Sequence, residues 1–121
     1  MEVHYWETPI EATWHNANHL EEANIGKDDI TIRISDEKTG RIWSLQFERV
    51  KAFKILSDEC AEWSTKLLPP DSGFFTITKS PWFSALGLGS SDPDALDSVT
   101  HYVICCEEAI VEVLAHDSLI T

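Results

Sequence analysis

Ile30-Thr31-Ile32-Arg33-Ile34-Ser35, then Asp36-Glu37-Lys38-Thr39-Gly40, then Trp43-Ser44-Leu45-Gln46-Phe47-Glu48 is the stretch from which the fold is read. Ile30, Ile32 and Ile34 alternate with polar residues, the period-two pattern of a strand with one buried face. Trp43, Leu45 and Phe47 repeat it. Between them lies a polar turn in which Gly40 can take positive φ. Two such strands around a turn predict an antiparallel hairpin.

Beyond Glu48, the apolar residues Val50, Ala52, Phe53, Ile55 and Leu56 occupy both parities, which predicts a bulge or bend near Arg49 that re-aims the strand. Ser57 with Asp58 and Glu59 reads as the capped start of a helix. That helix runs to Leu67 or Leu68, where Pro69-Pro70 stops it. Phe74 to Thr78 reads as a strand. Ser80-Pro81 is a cap followed by proline at the first helical position, so Trp82 to Leu86 is predicted to be a short helix. Residues 87–94 read as a loop. Val99 to Cys105 and Ala109 to Ala115 form a second hairpin of well-buried strands, with a turn around Cys106-Glu107-Glu108. Val3 to Thr8 and Ser118 to Ile120 add candidate strands, and residues 13–26 read as a short helix flanked by loop. The expectation is an α+β fold over a single domain, residues 1–121: one antiparallel sheet of five or six strands with two or three short helices.

Charge is segregated along the chain. All nine Lys and Arg lie between Lys27 and Lys79, balanced there by nine acids, so the net charge of −12 comes from five acids before Lys27 and seven after Lys79. An acidic surface repels phosphate backbones and anionic lipid, so neither nucleic acid nor membrane is an expected partner. No apolar run approaches the roughly 20 residues that cross a bilayer. Met1 to Trp6 has neither the basic nor the apolar region of a secretory signal, which places the chain in the cytoplasm. Three cysteines, Cys60, Cys105 and Cys106, without C-x-x-C spacing fit a reducing compartment. On a strand, Cys105 and Cys106 would point to opposite faces.

No complete catalytic motif is present: no serine sits in G-x-S-x-G, and Gly87-Leu88-Gly89 lacks the rest of a dinucleotide fingerprint. No cofactor is expected. His15, His19 and Glu22 would share one helical face and could offer two imidazoles and a carboxylate to zinc. The alternative for these residues is a solvated polar loop. What remains is an acidic docking surface made of Glu21, Glu22, Asp92, Asp94, Asp97, Glu107 and Glu108, with Trp82 as a desolvated anchor.

Leu45 to Ile55 leading into Asp58-Glu59, then Ser80-Pro81-Trp82, then His101-Tyr102-Val103-Ile104 with Glu112-Val113-Leu114-Ala115, resembles a group of small bacterial proteins. In size, acidity and texture the chain also resembles the immunity proteins of bacterial toxin systems. That resemblance implies a non-enzymatic inhibitor of a basic toxin domain, such as a nuclease, and transfers no site residues. The alternative is a small ligand-binding or metal-dependent enzyme domain with a pocket between sheet and helices, using His101, or His15 and His19.

Overall fold

The alternation of residues 30–48 becomes the centre of one face of a β-sandwich. The structure is a computed structural model that describes residues 2–11, 17–57, 68–69, 71–85 and 99–121. In chain order the elements are β1 (Glu2–Tyr5), β2 (Asn18–Ile25), β3 (Ile30–Asp36), β4 (Ile42–Glu48), β5 (Ala52–Ser57), β6 (Phe74–Thr78), α1 (Pro81–Ala85), β7 (Thr100–Cys106), β8 (Ala109–Ala115) and β9 (Asp117–Ile120). The strands form two antiparallel sheets, ordered β1-β6-β7-β8-β5 and β2-β3-β4-β9.

The α+β expectation is therefore overturned: the described residues hold nine strands in two sheets, and their helix is the single turn α1. Within residues 13–26, where a short helix is expected, Asn18–Ile25 forms β2 instead, and residues 13–16 lie outside the described residues. A register shift between Leu20 and Glu22 disguises that strand, because it pairs Leu20 with Ile34 and Ala23 with Ile32. Apolar residues three apart then face the same core, a spacing that imitates a helix. The helix expected after Ser57 and the loop at 87–94 lie outside the described residues.

The sandwich interior is filled from both sheets. Ile30, Ile32, Ile34, Trp43, Leu45 and Phe47 meet Phe74, Tyr102, Ile104, Cys106, Val111 and Val113. Trp6 enters this layer against Tyr102, with ring centroids 4.9 Å apart, and Phe47 lies tilted against Tyr102 at 5.1 Å. Such aromatic pairs add about 1 kcal/mol each beyond burial. The five-stranded sheet is also buried on its other face, where Phe75, Ile77, Val103, Cys105 and Ile110 cluster with Leu68. Burial on both faces explains why β7 and β8 read as continuous apolar runs.

The bend predicted near Arg49 is present, and it carries the chain from one sheet into the other. Arg49 takes φ 52°. After it, Lys51 donates its backbone N–H to Leu114, and β5 joins the edge of the five-stranded sheet. Arg49 Nη2 then holds Asp117 Oδ2 at 2.8 Å, pinning the start of β9 to the same corner.

Candidate functional site

Acids distant in sequence meet at one end of the sandwich. The start of β2 lies between two turns that both donate to it: Glu37 N–H to the Ala17 carbonyl at 3.0 Å, and Glu107 N–H to the Asn18 carbonyl at 2.8 Å. His19 and Glu107 thereby form a short parallel bridge, with His19 Nδ1 3.1 Å from Glu107 Oε2 and both side chains about two-fifths exposed. Glu108 follows at the hairpin tip, exposed and at φ 63°. Glu21 hydrogen-bonds Ser35, and Glu22 pairs with Arg33 at 3.1 Å. Asp36, Glu37, Glu107 and Glu108 thus lie at the end of the sandwich where β2 starts, with Lys38 and Arg41 in the same β3–β4 turn as Glu37. Ile42, 61% exposed and paired with Ser35, adds apolar surface there.

Of the residues expected to bind a partner, Glu107 is brought against β2 through His19 and Glu108 follows it, while Glu21 and Glu22 lie further along β2, bonded to Ser35 and Arg33. Asp92, Asp94 and Asp97 lie outside the described residues. Trp82 is elsewhere, beside His101 at the opposite end of β7 from Glu107, roughly 20 Å away at about 3.3 Å per strand residue. Glu37 was missed because it sits in the charge-balanced middle of the chain; only the hairpin register places it beside His19. The helical His15–His19–Glu22 set is also corrected: His19 and Glu22 lie on a strand, and His15 lies outside the described residues.

A second polar group is fully buried. Ser80 Oγ lies 2.7 Å from His101 Nδ1, and His101 Nε2 lies 2.7 Å from Glu112 Oε1. Lys54 Nζ reaches Glu112 Oε2 at 3.4 Å. Ser80, His101 and Glu112 are 3%, 2% and 2% exposed. The network is satisfied by one tautomer: Nε2–H donates to Glu112 while Nδ1 accepts the Ser80 hydroxyl proton. Ser80 Oγ in turn accepts the Trp82 N–H at 3.2 Å, capping α1. The composition is that of an acyl-transfer relay. A hydroxyl this buried and already committed as a cap, however, fastens α1 to the sheet rather than presenting a nucleophile. The Trp82 ring completes the lock, edge-on to His101 at 5.3 Å and beneath Lys54 Nζ at 4.5 Å. Trp82→Ala is expected to lower stability by about 2 kcal/mol, because a half-buried ring and its cation contact are lost. Melting curves of the free protein check it; an unchanged midpoint would mean the ring is not packed here.

The far end of the sandwich is mixed in charge. A cavity of about 320 Å³ there is lined by Ile25, Val50 and Phe53 with Lys27, Lys51, Asp28 and Asp29, and it includes neither His19 nor His101. Burial of the ring, with Arg49 and Lys51 nearby, holds His116 below the usual histidine range, against the opposing effect of Asp117. No helix of the described residues is long and apolar enough to cross a membrane. Comparison with protein-family models, curated proteins and solved structures finds no match.

Proposed function

We propose that this chain is a non-enzymatic, cytoplasmic protein-binding module of the immunity type, whose acidic end takes a basic partner such as a toxin domain. The observation that carries this reading is the meeting of the two acidic segments: the β7–β8 turn with Glu107 and Glu108 lies against the start of β2, with Glu37 of the β3–β4 turn beside it, and Glu21 and Glu22 follow along β2. Asp36, Glu37, Glu107 and Glu108 outnumber Lys38 and Arg41 at this end, and the local negative field speeds encounter with a basic surface and rejects phosphate backbones. Exposed Ile42 supplies apolar area that a partner can desolvate.

The experiment is capture from lysate of the native source on the immobilised chain, elution by salt, and stopped-flow kinetics with the eluted partner in chelator. Neutralising Glu37, Glu107 and Glu108 together to Gln is expected to slow association roughly tenfold or more at low salt, and to flatten its salt dependence. Inhibition of the partner's activity should weaken in parallel. An unchanged on-rate removes this end from the interface, and the absence of any salt-released basic protein removes the reading.

A further inference from the structure

His19, Glu37 and Glu107 come from three separate elements, yet one donor atom from each lies within 4.8 Å of the other two. We propose that they form a binding site for a divalent transition-metal ion of the zinc class. The proposal does not depend on the docking role of the same end.

Three observations support it. The first is donor spacing. A tetrahedral ion with bonds of 2.0–2.2 Å places its ligand atoms roughly 3.4 Å apart. His19 Nδ1 and Glu107 Oε2 are already 3.1 Å apart, and Glu37 closes the third side from an exposed turn. The second is an unsatisfied oxygen. Glu107 Oε2 is withdrawn from solvent and, although close to Nδ1, has no partner in hydrogen-bonding geometry. A desolvated carboxylate oxygen is costly unless a cation or donor meets it; two ligands converging on one ion sit at that distance without needing to bond each other. The third is support from the backbone. The N–H groups of Glu37 and Glu107 both donate to the start of β2, so the ligand-bearing positions are fixed by strand hydrogen bonds rather than by side chains alone.

The donor set selects the ion. One imidazole nitrogen and two carboxylates suit zinc and its neighbours, whereas calcium takes six to eight oxygens and magnesium retains octahedral water. Three protein ligands leave a fourth position for water or for an incoming side chain.

The test is calorimetric titration of the chelator-stripped full chain with zinc chloride at neutral pH, followed by melting curves with and without zinc. One saturable ion per chain is expected, with a raised melting temperature. His19→Ala, Glu37→Gln and Glu107→Gln are each expected to weaken binding roughly tenfold or more, an effect comparable to disturbing a metal site's support. His4→Ala, which alters an exposed histidine on β1, should bind zinc like the parent. Visible absorption of the cobalt-loaded chain gives an independent readout of a four-coordinate nitrogen–oxygen site. Melting curves of the metal-free variants confirm that they are folded, since all three side chains are at least partly exposed. The absence of saturable heat overturns the proposal. So does binding that survives any one of the three substitutions undiminished, or that is lost with His4→Ala.

Discussion

Glu112→Ala is expected to cost about 3–4 kcal/mol, because a buried N–H loses its acceptor and the packed methylenes of the side chain are removed with it. The carboxylate is 2% exposed and meets His101 Nε2 at 2.7 Å and Lys54 Nζ at 3.4 Å. Its removal strands a buried N–H and a partly buried ammonium together. In a chain of this length the melting temperature should fall by roughly 10–20 °C. Glu112→Gln keeps an oxygen for the His101 N–H but turns an amide toward Lys54, so its loss should be clearly smaller. The relay couples these residues, and a double-mutant cycle between Glu112→Ala and His101→Ala should show the double variant less damaged than the sum by about 1–3 kcal/mol. Urea denaturation at neutral pH measures all four variants, the three single ones and the double. If Glu112→Ala lies within 1 kcal/mol of the parent, the carboxylate is solvated and α1 is not locked as described. Tryptophan emission should shift with the same variant, because Trp82 rests on His101 and Lys54.

The parts of this fold that were readable from residues are those with one solvent face. Ile30 to Phe47 alternates because its outer side chains meet water, and its hairpin and turn follow directly. β7 and β8 were readable as strands from their branched, apolar content, but burial on both faces erases the alternation that would say which core each residue serves. For that reason a count of strands did not reveal a second sheet. The bend at Arg49 was legible as a change of parity, yet parity does not tell which sheet receives β5. β2 was hidden by its register shift, which set Leu20 and Ala23 at a helical interval.

The candidate sites were legible to the extent that they were local. His19, Glu21, Glu22, Glu107 and Glu108 could be picked out by residue type, but the helical spacing that joins His19 to Glu22 presupposes a helix where the chain is a strand. Glu37 carries no signal of its own amid balanced charge. The Ser80–His101–Glu112 relay spans 21 residues on one side and 11 on the other. Its one trace in the sequence is Glu112 itself, a carboxylate in the middle of the apolar run from Ala109 to Ala115. A charge in such a place needs a buried partner, and the β7–β8 register supplies it from the neighbouring strand.

Above about pH 9 the protein is expected to lose stability at a rate set largely by two thiols. Cys105 packs in the outer cluster with Val103 and Ile110, and Cys106 faces the sandwich interior, so the sheet separates them. Burial pushes each thiol from 9.0 up to about 12, with the Cys106 and Glu112 charges adding to the rise at Cys105. The unfolded chain releases both protons near pH 9 while the folded chain holds them, so the stability present below pH 9 is lost as pH rises toward 12. Two retained protons correspond to a slope of about 2.7 kcal/mol per pH unit. Urea denaturation at a series of pH values from 8 to 11, in a Cys60→Ala background, gives the slope directly. Cys105→Ala and Cys106→Ala should each reduce it by about 1.4 kcal/mol per pH unit, whatever they cost in stability at neutral pH. Contributions from Lys and Tyr cancel in that difference. A slope indifferent to both substitutions would mean the thiolates form readily in the folded chain, and would reopen a redox role for a pair whose burial otherwise leaves it inert.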